Sequence, residues 1–397
     1  MNKIIISFFL FFLNLHLIAE TKIFKVGLID YNYDIRYAKW ERHPVDIRSK
    51  HSIENRAIDG AKLGIIDSKK LQRITKTEIT LDHLRVKNED ALIDLIYSKK
   101  LKDYNSILLD INLNNFEKIK DIIVSNTNII FFNISDPNNL LRINFCLDNF
   151  YHTYPSNMMR TDALAQFLVQ KKWNKTLILT GSLKYDNLLA KSFKTSANKF
   201  GVNIVGEKFF VNSNDPRARE KNSLSFLTKG KRYKSIFVAD TDGEFALTVP
   251  NSTVNPATII GSSGLVPLSW HWSHLRHGAP QVNGRFEREF KRRMTDRDWS
   301  AWIAIRSLSE SILRTKSTKT KTIKKFMISK NFKVDGSKGV SLNYKSITKQ
   351  LRQTIFLTSS NNWVTAVAPL ENFQNRENNL DSLGINNSEN KCEKDKL

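Results

Sequence analysis

Two spacings of apolar residues alternate along most of the chain. Lys22–Tyr31 sets Val26, Leu28 and Ile29 in a short extended run, and 78–86 reads as a second strand. Between them a helical period runs through Ala57, Ala61, Leu63, Gly64 and Ile65. It returns over 89–100, with Ala91, Leu92, Leu95 and Ile96 on one face. The runs 106–111 and 128–134 are short and apolar throughout, with a helix over 116–124 between them; Ser135, Asp136 and Pro137 end the second run. Apolar strands separated by amphipathic helices predict parallel βαβ units with both sheet faces covered. The alternation stops near Pro137 and then restarts. A helix over 155–172, a strand over 175–180, a helix over 186–200 closed by Gly201 and a strand over 202–211 follow; 235–239 and 258–261 are further strands. The pattern predicts two successive α/β units.

The last third breaks this rhythm. Helical periods cover 281–294, 297–313 and 319–329, and the second carries Trp299, Trp302, Ile303, Ile305 and Leu308. Extended runs at 351–358 and 363–367 flank turn residues and predict an antiparallel hairpin. Past Pro369 the pattern is polar and rich in Asn and Glu, so 371–397 reads as a disordered tail. At the other end, Lys3 precedes an apolar run from Ile4 to Ile18, with the small residue Ala19 behind it. This predicts a secretory signal peptide over 1–19, and hence export to the periplasm. The run is shorter than the roughly 20 apolar residues of a membrane span. No cysteine stands beside Ala19 to carry a lipid.

Length and composition add little that conflicts. The 397 residues suit two domains, and 41% hydrophobic residues exclude global disorder. A net charge of +23 raises nucleic acid or an anionic membrane as a partner. However, the lysines are scattered, as at Lys69, Lys99, Lys171, Lys231 and Lys324, and no DNA-binding signature accompanies them; no nucleic-acid partner is expected. Cys146 and Cys392 lie far apart, the second in the polar tail, and are not expected to pair.

Several stretches carry a family resemblance. Arg142-Ile143-Asn144-Phe145, the helical segment 163–168, Trp173-Asn174-Lys175, Leu177-Ile178-Leu179, and Tyr185 with the following helix resemble the second-lobe entry of type I periplasmic binding proteins. These form the branched-chain amino-acid receptor superfamily of ABC transporters. A longer run is similar to the subfamily associated with PQQ-dependent alcohol dehydrogenase systems. It comprises Gly264-Leu265-Val266-Pro267, Trp270-His271-Trp272, His277-Gly278-Ala279-Pro280-Gln281, Arg285-Phe286, the segment 293–299 and Ala301-Trp302-Ile303-Ala304. The resemblance covers 22–369 and implies an α/β fold. Two Rossmann-like lobes with parallel sheets would be joined by crossing hinge segments, lobe 1 from 20–153 and 270–330, lobe 2 from 154–269 and 331–370. It also implies a substrate-binding protein that closes on a small ligand and docks on an inner-membrane ABC permease, with PQQ-dehydrogenase components as further partners. Amino-acid receptors hold their ligand with Ser/Thr-rich loops. Here the loop reads Ser135-Asp136-Pro137, and the aspartate opposes a carboxylate, so the resemblance does not extend to an amino-acid ligand.

A cleft in such a fold forms at the carboxyl ends of the strands. That places Tyr31, Tyr33, Ser135 and Asp136 of lobe 1, and Tyr185, Asp240 and Asp242 of lobe 2, as ligand-binding candidates. The plainer reading packs the tyrosines on the lobe surface and makes Asp240 and Asp242 caps of a helix starting near Glu244. Trp270 and Trp272 could stack on a flat ligand or a partner. On a helix, His271, His274 and His277 would share one side and could meet a metal ion, yet no carboxylate or cysteine completes a zinc spacing. A packed aromatic loop is the plainer reading, and no metal or cofactor is expected. Nucleophile-elbow, His-Glu-x-x-His and phosphate-loop motifs are all missing from the sequence, so an enzyme is not expected. Asp296 and Asp298 beside Arg293 and Arg297 read as an ion-paired helix start. A sensory receptor and a histidine-based metal carrier stand as alternative functions.

Overall fold

The computed structural model describes residues 21–34, 36–37, 56–112, 116–213, 215, 217, 220–230, 232–359, 363–375 and 377–385. The expected signal peptide over 1–19 lies outside the described residues.

Lobe 1 is built on strands β1 (Lys22–Tyr31), β2 (Thr77–Val86), β3 (Ser106–Asp110), β4 (Ile130–Asn133) and β5 (Phe150–His152), in the order β2-β1-β3-β4-β5. All four pairings are parallel. Every residue of β3 and β4 is buried, as strands covered on both faces require. Helices α1 (Ile58–Thr75), α2 (Glu89–Tyr97), α3 (Phe116–Ser125) and α4 (Leu140–Ile143) connect them.

Lobe 2 repeats the plan with α5 (Asn157–Gln170), β6 (Lys175–Thr180), α6 (Lys184–Phe200), β7 (Asn203–Phe209), α7 (Leu224–Thr228), β8 (Ser235–Ala239) and β9 (Thr258–Gly261). The strand order is β7-β6-β8-β9, again parallel. Helix α6 ends at Gly201 with φ 77°, a left-handed position that a side chain would strain. Strands β10 (Val266–Leu268), β14 (Ile355–Thr358) and β15 (Val364–Ala368) form a separate antiparallel sheet. Helix α5 lies between the two sheets of this lobe, and so 11 of its residues are buried despite a mixed sequence.

Between β10 and β14 the chain returns to lobe 1. It forms α8 (Ala279–Phe290), α9 (Asp296–Thr315) and α10 (Thr320–Met327), then β11 (Val334–Asp335), β12 (Ser341–Tyr344) and β13 (Leu351–Arg352). Helices α1 and α9 touch backbone to backbone. A Cβ on Gly60 would stand 2.0 Å from Asp298 O, and one on Gly64 would stand 2.8 Å from Ile305 Cβ. Trp270 and Trp299 stack beneath them at 6.1 Å, a contact that adds about 1 kcal/mol beyond the area it buries.

Four expectations change. The segment 331–352, expected in lobe 2, packs in lobe 1. Phe332, Val334, Leu342 and Tyr344 join the core of Phe24, Phe132 and Tyr151, and the third crossing falls near Gln353 and Thr354. The hairpin comprises only β14 and β15, because Leu351 and Arg352 pair with β12 instead.

The polar stretch beyond Pro369 is also not a free tail as far as Ile385. Leu370, Leu380, Leu383 and Ile385 are buried. Leu380 enters the lobe 1 core, while Leu370 and Leu383 enter that of lobe 2. Polar ties fix this strap on both sides. Asp162 accepts from Gly384 N (2.8 Å), Arg352 Nε donates to Asp381 (2.7 Å), and Lys345 Nζ donates to Ile385 O (3.1 Å). A few spaced leucines suffice to dock a segment whose composition reads as disordered. Residues 386–397 lie outside the described residues.

Cys146 is disulfide-bonded, against the expectation for the two cysteines. Cys392, the other cysteine, is outside the described residues.

Candidate functional site

In lobe 1 the chain leaves β1 toward β2 on one side and β3 toward β4 on the other, which opens a crevice at the carboxyl ends of β1 and β3. Polar side chains converge there. Arg36 donates through Nε and Nη2 to the Asp34 carboxylate (2.9 and 2.5 Å). Its Nη1 donates to Ser135 Oγ and its Nη2 to Asp110 O, each at 2.9 Å. The Tyr37 hydroxyl donates to the Asp110 carboxylate. Burial works to raise the Asp34 pKa, but Arg36 outweighs it and holds the carboxyl below its usual range. At Asp110 burial wins, and the carboxyl is pushed above that range.

A second wall comes from the first crossing and the start of α9. Thr295 and Asp298 form a capping box there, which fixes the first turn. The Tyr154 hydroxyl donates to Asp296 Oδ2 (2.7 Å). Asp298 pairs with the buried Arg292 (2.7 and 2.8 Å), which also reaches Asp59 (3.0 Å). The ion-paired helix start therefore does not involve Arg297. That guanidinium lies over the Tyr37 ring at 5.0 Å, and its Nε is buried with no hydrogen-bond partner among the described residues.

Lobe 2 meets this surface through α6. The Tyr185 hydroxyl donates to Asn112 Oδ1 (2.9 Å), just past β3. Asn139 Nδ2 of lobe 1 donates to Ser192 Oγ of lobe 2 (2.8 Å). Behind the cleft, the crossings are tied by buried polar groups. Gln350 Nε2 donates to His152 O and Tyr154 O (3.1 and 3.2 Å), and Gln353 Nε2 donates to Thr153 O (2.7 Å). Arg142 donates to Gln350 Oε1 and to Tyr154 O (2.9 Å each). Lys338 Nζ lies over Trp299 at 3.7 Å and donates to Gln353 Oε1 and Thr354 O (2.9 and 3.0 Å); burial drives its pKa well down.

The candidates from sequence divide. Tyr31, Ser135, Asp136 and Tyr185 stand at the cleft. Burial pushes the Tyr31 hydroxyl up to about 12 and raises that of Tyr185 as well. The Ser135 hydroxyl is engaged by Arg36. Asp136 Oδ1 accepts from Asn138 N (2.7 Å) within its own turn. Tyr33 is 59% exposed. Asp240 is buried and accepts from Ala246 N (2.9 Å) and Asn212 Nδ2 (3.1 Å), a local bracing of the loop after β8. Asp242 lies in that loop, partly buried.

Trp270 faces the interior. It is core, stacked on Trp299, with its Nε1 donating to Asn283 Oδ1 (3.0 Å). Trp272 is taken by Arg293, whose guanidinium lies 3.3 Å from the ring centroid. The histidines do not line a helix, because α8 starts only at Ala279. His271 Nδ1 is hydrogen-bonded to Ser273 Oγ (2.7 Å), His274 packs on Phe356, and no metal-holding group of three occurs among the described residues.

Sequence reasoning missed Arg36, Tyr37, Asp110, Tyr154 and Arg297. Asp110 carried a usable signal, since it ends an expected strand; Arg297 carried none, because its neighbours offered it a local ion pair.

No protein-family model matches this chain, and no curated protein does. Solved structures match well. A periplasmic binding protein from Burkholderia mallei superposes with TM-score 0.67 at 12% identity, covering 94% of this chain and 98% of its own. A solute-binding protein of an ABC transporter from R. palustris, in complex with benzoate, gives 0.63 at 12% identity over 87% and 95%. A branched-chain amino-acid transporter substrate-binding protein from Streptococcus pneumoniae, in complex with isoleucine, gives 0.63 at 13% identity over 87% and 99%. The chain has the two-lobed α/β fold of type I periplasmic binding proteins.

Proposed function

We propose that the protein is the solute-binding component of an ABC transporter, working in the periplasm and not as an enzyme. The observation that carries this reading is the convergence of side chains from both lobes on one cleft, bridged by Tyr185 and Asn112. A hinge of three crossings lets such lobes open, admit a small molecule and close on it, presenting a joint surface to an inner-membrane permease. Export rests on the apolar leader after Lys3. A disulfide at Cys146 suits an oxidising compartment. The link to PQQ-dependent alcohol oxidation rests on the Trp-rich run 264–304; normal growth on alcohols after gene deletion removes it.

The test is thermal denaturation against a panel of alcohols, acids, amino acids and amides, with small-angle scattering on any hit. A ligand at 100 times its Kd should stabilise by about 2.7 kcal/mol and shrink the radius of gyration. A panel without one hit, from protein shown free of carried-over ligand by native mass spectrometry, overturns the reading.

A further inference from the structure

Resting on that reading, we infer that the cleft takes a small carboxylate without an ammonium group, anchored by Arg297. The guanidinium stays charged at every relevant pH and has five N–H donors. Yet its Nε is buried with no hydrogen-bond partner among the described residues; the face of Tyr37 lies 5.0 Å away, and Asp110 attracts the guanidinium through space without bonding to it. Leaving a buried N–H donor without an acceptor is costly, and a planar carboxylate is the shape that matches the guanidinium fork. The carboxylates nearby are already engaged. Asp110 receives Tyr37, Asp34 holds Arg36 through two donors, and Asp296 receives Tyr154. Arg297 Nε is therefore a donor of the cleft left without an acceptor among the described residues.

The same inventory argues against an amino acid. An ammonium needs acceptors, and acceptors at the ends of β3 and β4 are filled from within the chain. Arg36 already donates to Asp110 O and to Ser135 Oγ, putting one cation at that place. A second cation there would face Arg36 at close range. Tyr37, Tyr154 and Tyr185 supply flat, largely apolar walls for the body of the ligand, with hydroxyls committed elsewhere.

Titration calorimetry on the full-length mature protein, unfolded and refolded to remove carried-over ligand, tests this with matched probes. Benzoate is compared with benzamide, and 4-methylpentanoate with leucine, each on parent protein and Arg297→Gln. At least one carboxylate should bind, its uncharged or ammonium-bearing counterpart should bind at least about tenfold more weakly, and Arg297→Gln should weaken the carboxylate about 10- to 100-fold. Circular dichroism checks that the variant is folded before its affinity is read. Binding of benzamide or leucine as tight as the carboxylates, or carboxylate binding unchanged in Arg297→Gln, overturns the inference and leaves the solute-binding reading intact. If none of the four probes binds, the inference fails; the wider panel above then decides the solute-binding reading on its own.

Discussion

Replacing Gly60 by alanine sets a local preference against a tertiary one. In a free helix, alanine for glycine stabilises by about 1 kcal/mol. On α1 the new Cβ would stand 2.0 Å from Asp298 O and 2.6 Å from Asp298 Cα. Both are backbone atoms in the first turn of α9, so no rotamer change relieves the clash. Atoms at ease sit about 3.5–4.0 Å apart, and a gap of up to about 1 Å forfeits a quarter to a half of each contact it opens. Overpacking of this kind costs about 1–3 kcal/mol, and we expect the net change to be destabilising. Gly284 in α8 is the control, since a Cβ there meets nothing within 4 Å; Gly284→Ala should gain up to about 1 kcal/mol. Urea unfolding at constant m value reads both. Because Asp298 follows Arg297, a retreat of α9 should also weaken binding of any cleft ligand in Gly60→Ala but not in Gly284→Ala. If Gly60→Ala proves as stable as its parent while Gly284→Ala is stabilised, the close backbone approach of α1 and α9 is wrong.

Three further outcomes are expected. Burial lowers the pKa of His271 and His274 from 6.5 to about 4, so both are neutral in the native state. The unfolded chain then takes up protons first, and stability should fall as pH drops from 6.5 toward 4, by up to about 3 kcal/mol per histidine before screening; glutamine at both positions should flatten that limb of the urea-midpoint profile. Leu383→Ala should destabilise by about 2–5 kcal/mol if the strap is docked, whereas a change under 0.5 kcal/mol in chemical denaturation would restore the disordered tail. Arg292→Met leaves the buried Asp298 and Asp59 without their shared cation and should cost about 3–5 kcal/mol; a melting temperature equal to the parent's contradicts that pairing.

Much of this molecule was legible without coordinates. The strands at 22–31, 106–111 and 175–180, the helices between them and the doubled α/β plan follow from apolar period, which is a local property of neighbouring residues. The cleft was legible in outline, because loops at strand ends can be counted from the same pattern; this brought out Ser135, Asp136 and Tyr185. The side chains that give the cleft its chemistry were not. Arg297 sits beside two aspartates in sequence, and only folding shows that Asp298 turns to Arg292 and Asp296 to Tyr154. The sequence leaves Trp270 between a packed aromatic loop and a ligand or partner contact until α9 brings Trp299 against it. The polar stretch after Pro369 reads as disordered until Leu380 and Leu383 meet the two cores. Sequence by itself determined the long helices and strands of the doubled α/β plan, since these depend on spacing along the chain. Tertiary structure alone decided which donor is left without an acceptor, since pairing depends on distance in space between residues far apart in sequence.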